Sequence, residues 1–232
     1  MKWYKKKIKM SLNKEKLIEE LEDGLIIQGF VQFKESLLGA SGFFVKKIHP
    51  DFYLSLGLEI SRFDEDHFTG SFYLSKTTCW FCTWGDIPKN SYKTIGSLLN
   101  DKEKIKLLGE EHEPVMNVWW DANSQNAFNN FLKTIQIAEI NFITPELVQS
   151  INESSDVSVL HGLAQAVIAK VIQKKNIQNL KFQCTPSKLV DDIPKIWFQT
   201  AEAVLIENKV TINQNKVRLL ASDAYRIYTL NK

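Results

Sequence analysis

The chain has 232 residues, 44% of them hydrophobic and 24% charged, with six Trp and fourteen Phe, as expected of a globular protein with a packed core. Disordered, collagen-like, coiled-coil and disulfide-scaffold classes are excluded by this composition, and no run approaches the roughly eighteen consecutive apolar residues of a membrane helix. The net charge of +2 is unevenly spread: seven Lys against one Glu in residues 1–16, eleven basic against twenty-one acidic side chains in 17–160, and eleven against five in 161–232.

The elements read as follows in chain order. Residues 1–12 form a basic, flexible arm. Lys5, Lys6 and Lys7 look like the start of a signal peptide, but Ile8, Met10 and Leu12 are interleaved with Lys9, Ser11 and Asn13, so no apolar stretch follows. Asn13 is a fitting N-cap for a helix carrying Leu17, Ile18, Leu21, Leu25 and Ile26, which Gly29 would end. Phe30 to Leu38 reads as extended, and Gly39 to Gly42 as a turn. Phe52, Leu54, Leu56, Leu58 and Ile60 alternate with Tyr53, Ser55, Gly57, Glu59 and Ser61, which predicts a strand with its apolar side chains on one face. The Pro50-Asp51 turn makes Phe43–Ile48 its antiparallel neighbour. After the acidic loop Asp64, Glu65 and Asp66, the alternation returns at Phe68, Gly70, Phe72 and Leu74.

Beyond residue 90 the pattern is helical. Tyr92–Leu108 is expected as one helix and Val115–Trp120 as a last strand. Ser124 would cap a helix bearing Phe128, Phe131, Leu132, Ile135 and Ala138. Thr144-Pro145 is a cap followed by proline at the first helical position. Further helices follow from Val157, Leu160, Ala164, Val167, Val171 and Ile172, from Ile193–Ile206 with Asp192 as cap and Pro194 in the first turn, and from Lys216–Tyr228. Strands followed by helices predict an α+β domain: an antiparallel meander sheet of four to five strands packed by helices, with a C-terminal helical layer. The charge switch near residue 160 divides it into an α+β domain over 13–160 and a helical layer or subdomain over 161–232, which can share one core.

The search for chemistry returns little. Cys79-Trp80-Phe81-Cys82 has redox or zinc spacing, but Thr83 to Pro88 cannot continue a helix as a thioredoxin-like site requires. As half of a zinc site it would need two more ligands, and Cys184 and His112, His161, His49 or His67 could be brought to it only by tertiary folding. Pro50-Asp51 with Glu59-Ile60-Ser61 suggests a metal-dependent nuclease core, yet Ser61 stands where the required Lys should be. Glu110, Glu111, His112 and Glu113 could bind a metal or serve acid–base chemistry, but they make better sense as an interaction surface. His161 reads as a packed or surface residue. Phosphate-loop, dinucleotide, zincin, nucleophile-elbow and EF-hand motifs are all missing. No cofactor or metal is expected, and an odd number of three cysteines points to a reduced, cytoplasmic protein.

Gly29-Phe30, the strand Phe52–Ile60, Gly70-Ser71-Phe72-Tyr73-Leu74-Ser75, Trp84-Gly85-Asp86-Ile87-Pro88 and Trp119-Trp120-Asp121 together resemble an uncharacterised bacterial domain family often associated with toxin-immunity loci. The resemblance spans residues 30–121 and implies an intracellular protein without catalysis that binds and blocks a partner. The acidic middle of the chain repels nucleic acid and attracts a basic protein, with no part for a membrane. The expected partner-binding residues are Asp64, Glu65, Asp66, Glu110, Glu111 and Glu113, with Trp119 or Trp120 as aromatic anchor. The other reading is an enzyme or small-molecule binder with a site between sheet and helices.

Overall fold

In the computed structural model, which describes residues 12–33, 40–49, 51–78, 88–108, 118–173 and 193–232, the chain folds as an α+β protein. Asn13 caps helix α1 (Lys14–Ile27), its Oδ1 accepting the Lys16 amide at 2.9 Å. Gly29 follows the helix with φ +89°, the left-handed conformation that ends a helix at least cost to glycine. Strand β1 is short (Val31–Phe33) and pairs with β2 (Gly42–His49), so Gly42 opens a strand instead of closing a turn. β2, β3 (Phe52–Ile60) and β4 (His67–Ser75) form the expected meander. Leu56 of β3 sits between Phe44 and Phe72.

The single helix expected over Tyr92–Leu108 is three elements. Tyr92–Thr94 is strand β5, Ile95–Leu98 is a 3₁₀ turn, and Asp101–Leu108 is helix α2. The break has a local cause. Asn100 and Glu103 form a reciprocal capping box, each side chain accepting the other's amide at 3.0 and 2.8 Å, and this starts a new helix. Of the strand expected at Val115–Trp120, the described part is β6 (Trp120–Asp121), paired with β4; residues 115–117 lie outside the described residues. The sheet order is β1-β2-β3-β4-β5, with β6 also on β4, and every pairing is antiparallel.

Helix α3 (Ala127–Phe142) begins three residues after Ser124, with Asn126 at its N-cap; Ser124 spends its hydroxyl on the Asp121 carbonyl. Thr144 caps α4 (Pro145–Glu153) and Ser154 caps α5 (Ser155–Ile172). α6 (Lys195–Glu207) has Pro194 at the N-cap itself, and the expected cap Asp192 lies outside the described residues. α7 (Gln214–Leu230) starts earlier than expected because Asn213 caps it.

Helices cover both faces of the sheet. Leu54, Leu56, Leu58, Phe68 and Phe72 pack with α1 and α3 through Leu17, Leu21, Leu25, Phe131 and Ile135. On the opposite face Phe43, Val45, Tyr53 and Tyr73 join Leu163, Val167, Trp197, Val204, Leu220 and Ala224 of α5, α6 and α7. The 160/161 boundary falls inside α5, whose Val157 belongs to the first cluster and Leu160 to the second. The charge switch therefore marks no break in the chain. Among the described residues α5 is also the one helix long and apolar enough to cross a membrane, with 18 residues at mean hydropathy 1.3. Ser158, His161, Gln165 and Lys170 interrupt its apolar runs, which is why no consecutive stretch reveals it.

Gly70 of β4 lies where three elements converge. A Cβ there would stand 2.8 Å from Ile95 Cδ1 and 3.0 Å from Phe131 Cζ. Gly70→Ala is expected to cost about 1–3 kcal/mol through overpacking. It should appear as a lower urea midpoint with unchanged slope, and an unchanged midpoint would show that the interior there is loosely packed.

Candidate functional site

Two polar assemblies stand out. The first is the end of the sheet formed by the β3–β4 turn and β6. Ser61 Oγ accepts the amides of Phe63 and Asp64 at 3.2 and 3.1 Å, and the Ser61 amide donates to the His67 carbonyl at 2.8 Å, which fixes a compact turn. His67 and Asp64 form an ion pair at 3.0 Å when the imidazole is protonated. β6 pairs His67 with Asp121 and Phe68 with Trp120, and the Ala122 amide donates to the Asp66 carbonyl at 2.8 Å. The structure thus brings the acidic loop and the tandem tryptophans together, although more than fifty residues separate them in the chain.

It also sorts them. Asp64 and Glu65 are exposed and Trp119 is half-buried. Asp66 and Trp120 are each only 3% exposed, so neither is available to a partner in this conformation. Trp120 packs edge-on to Phe131 at 4.9 Å because the pairing with Phe68 directs its ring into the core. Glu110, Glu111 and Glu113 lie outside the described residues. Phe63 is fully exposed between Arg62 and Asp64, and sequence reasoning passed over it. The available signal was one aromatic residue inside an otherwise charged turn. Glu59, half-buried beside this turn, has its carboxyl pushed up by desolvation, against the pull of Arg62.

The second assembly is buried between the sheet and α7. Asp223 Oδ1 accepts the Thr78 amide at 2.5 Å and the Thr78 hydroxyl at 2.7 Å, and Arg226 Nε donates to Thr78 Oγ1 at 2.6 Å. The guanidinium also lies over the Phe43 ring, 5.1 Å from its centroid. Asp223, Arg226, Thr78 and Ser55 are all inaccessible to solvent, and Asp223 Oδ2 has no hydrogen-bond partner among the described residues. Burial pushes the Asp223 carboxyl up, outweighing Arg226, the two Thr78 hydrogen bonds and His161. His161 reaches the same region from α5, its Nδ1 donating to the Lys76 carbonyl at 2.8 Å. That bond leaves Nε2 of the neutral ring as an acceptor. Of this group only His161 was singled out from the sequence. Asp223 sits in an ordinary helical stretch, and nothing local announces its burial.

The remaining motifs separate. Asp51 and Glu59 lie near opposite ends of β3, about 26 Å apart along an extended strand, so they form no joint carboxylate site. Cys79, Cys82, Cys184 and His112 lie outside the described residues. Among the described residues no three His, Cys, Asp or Glu side chains converge as metal ligands. Comparison with known proteins finds no matching family model, curated protein or solved structure.

Asp223 has a stated pH signature. Its folded pKa lies above the unfolded value, so its contribution to stability is complete below the ordinary carboxylate range and is lost as pH rises through the raised value. Asp223→Asn removes that component, so wild type should lose stability relative to this variant between pH 4.5 and 7.5. Asp223→Ala leaves the buried Thr78 amide and hydroxyl without their acceptor and should cost about 1–3 kcal/mol. Urea titrations at both pH values measure these differences, and a pH-independent gap between wild type and Asp223→Asn would contradict the raised carboxyl.

Proposed function

We propose that the protein is a non-enzymatic protein-binding module that engages a basic partner through the acidic turn between β3 and β4. Phe63 carries the reading. A fully exposed phenylalanine on a turn held by its own hydrogen bonds offers a rigid anchor, and Asp64 and Glu65 beside it supply the charge that steers a basic surface. Half-buried Trp119, the residue immediately before β6, adds aromatic area near the same surface. The acidic balance of residues 17–160 extends that attraction to long range. The resemblance to toxin-immunity domains supplies the biological form of this reading, an intracellular protein that masks a basic toxin domain and so needs no catalytic residues of its own.

The test is affinity capture from the native host, read by mass spectrometry at low and high salt, with Phe63→Ala and the double variant Asp64→Lys/Glu65→Lys in parallel. A stoichiometric basic protein should be retained by wild type and weakened by salt. Phe63→Ala should cost at least about 2 kcal/mol, roughly thirtyfold in Kd. The charge reversal should slow association and flatten the salt dependence. Phe63 has no packing to lose, so Phe63→Ala should melt with wild type, and the charge reversal gives up only the exposed Asp64–His67 pair, worth about 1 kcal/mol or less. A partner bound equally by wild type and both variants would remove the turn from the interface.

The buried Asp223 assembly favours a second reading, a ligand or catalytic site between sheet and helices, because Oδ2 of a fully buried carboxylate lacks a hydrogen-bond partner among the described residues beside Arg226 and His161. A dose-dependent rise in Tm with a metal, nucleotide or metabolite, lost in Asp223→Asn, would move the weight to this reading.

A further inference from the structure

His67 opens β4, and the β3–β4 turn closes on its main chain. Its amide donates to the Asp64 carbonyl at 2.9 Å and its carbonyl accepts the Ser61 amide at 2.8 Å, which fixes where the ring stands. Nδ1 is sealed from solvent and lies 3.0 Å from Asp64 Oδ2, while 32% of the His67 side chain and 50% of the Asp64 side chain remain exposed. Carboxylates dominate the surroundings. Asp121 stands opposite His67 across the β4–β6 pairing, with its Oδ1 taken by the Asn123 amide, and Asp66 is buried. Glu65 and Arg62 are exposed in the turn, and half-buried Glu59 on β3 feels the charge of Arg62. Asp64 is the one of these that the structure pairs with the ring. Of the other described histidines, His49 ends β2 at the far end of the sheet and His161 lies on α5.

We propose that His67 is a proton switch on the acidic turn, which binds a basic partner more tightly with the imidazole neutral than with it protonated. This deepens the reading of the turn as an interface for a basic protein and rests on it. A carboxylate facing a bare ring nitrogen would meet its lone pair, so Nδ1 keeps its proton against Asp64 and Nε2 is the nitrogen that titrates. In the neutral state Asp64 retains its full charge, and its exposed half is open to a Lys or Arg of the partner. Protonation puts a positive charge beside that carboxylate, which cancels its field and sets a like charge against the incoming cation. Proton and partner therefore compete for one carboxylate, and each weakens the binding of the other by the same factor. An imidazole changes charge between about pH 5 and 8, so affinity falls as pH falls through that range. Exposed charges of this kind set a change of about threefold to fivefold at low salt, and screening reduces it. Phe63 carries no charge, so its anchoring contribution persists in both states.

A carbon-13 NMR titration of the full chain with the basic peptide acetyl-Lys-Leu-Lys-Leu-Lys-amide, at pH 5.5 and 7.5 in low salt, tests the switch through the Phe63 ring, the Asp64 side chain and the His67 ring. Wild type should bind the peptide about threefold to fivefold more weakly at pH 5.5. At a pH where the ring is part-protonated, added peptide should move the His67 signals toward their neutral positions, a readout that needs no variant. His67→Gln, which keeps an N–H for Asp64 and cannot titrate, should bind equally at both pH values. Phe63→Ala should weaken binding at both while leaving the pH ratio as in wild type. Peptide that shifts neither Phe63 nor Asp64 at either pH would overturn the interface reading and the switch with it. Peptide that binds at the turn with equal affinity at both pH values, or with a pH dependence that survives in His67→Gln, would overturn the switch alone.

Discussion

The structure depends on a sheet whose central strand has no solvent face. Strand β3 places Leu54, Leu56 and Leu58 against α1 and α3, and Tyr53 against the C-terminal helices. An antiparallel strand usually keeps one face wet, and its side-chain alternation then reads as inside against outside. Here the alternation separates large apolar from small or amphipathic side chains. Ser55, Ser71 and Ser75 are buried on the second face although their residue type suggests water. A one-residue slip of β3 would exchange Leu56 with Ser55 or Gly57 and empty one core while overfilling the other. Burial on both sides therefore fixes the register more strongly than either face could alone.

That arrangement forces polar groups into the interior, and the Thr78–Asp223–Arg226 assembly is how they are accommodated. Thr78 is where β4 has ended and its backbone has lost the ladder, so its amide needs a new acceptor, which α7 provides in Asp223. A carboxylate in that position needs a counter-charge, and Arg226, three residues along the same helix, is on the same side of α7. The guanidinium then covers the Phe43 ring and donates back to Thr78, joining sheet and helix in one cluster. Such a network is weak evidence for added stability, because desolvation offsets most of its attraction.

Much of this was legible in the sequence, and the failures have identifiable causes. The meander could be read because alternation is a local signal: Phe52 to Ile60 and Phe68 to Leu74 declare their faces without reference to the rest of the chain. Asn13 and Thr144 mark helix starts for the same reason. Tyr92–Leu108 was misread because the Asn100–Glu103 box, a local signal too, was outweighed by the apolar residues on either side of it. The second buried face was invisible because seeing it requires knowing that the chain returns with α5, α6 and α7. Candidate residues follow the same rule. The approach of the acidic loop to Trp119 depends on the long-range pairing of β6 with β4, and the exposure of Phe63 depends on the turn excluding it from the core that takes up Phe68 and Trp120.

The exposed turn is connected to the rest of the molecule with little slack. Asp121 pairs with His67 at the edge of the sheet, accepts the Asn123 amide at 2.9 Å, and is followed after five residues by Ala127, the first residue of α3. Ala122 binds back to Asp66, and Trp120 is wedged between Phe68 and Phe131. The β3–β4 turn is therefore braced from below by the same aromatic cluster that seats α3 on the sheet. A rigid base of this kind lowers the entropy lost when a side chain is immobilised at an interface. It makes a phenylalanine at this turn a better anchor than the same residue on a floppy loop. The core beneath the turn and the turn itself are thus continuous, with buried Trp120 and Asp66 holding in place the turn on which Phe63 is exposed.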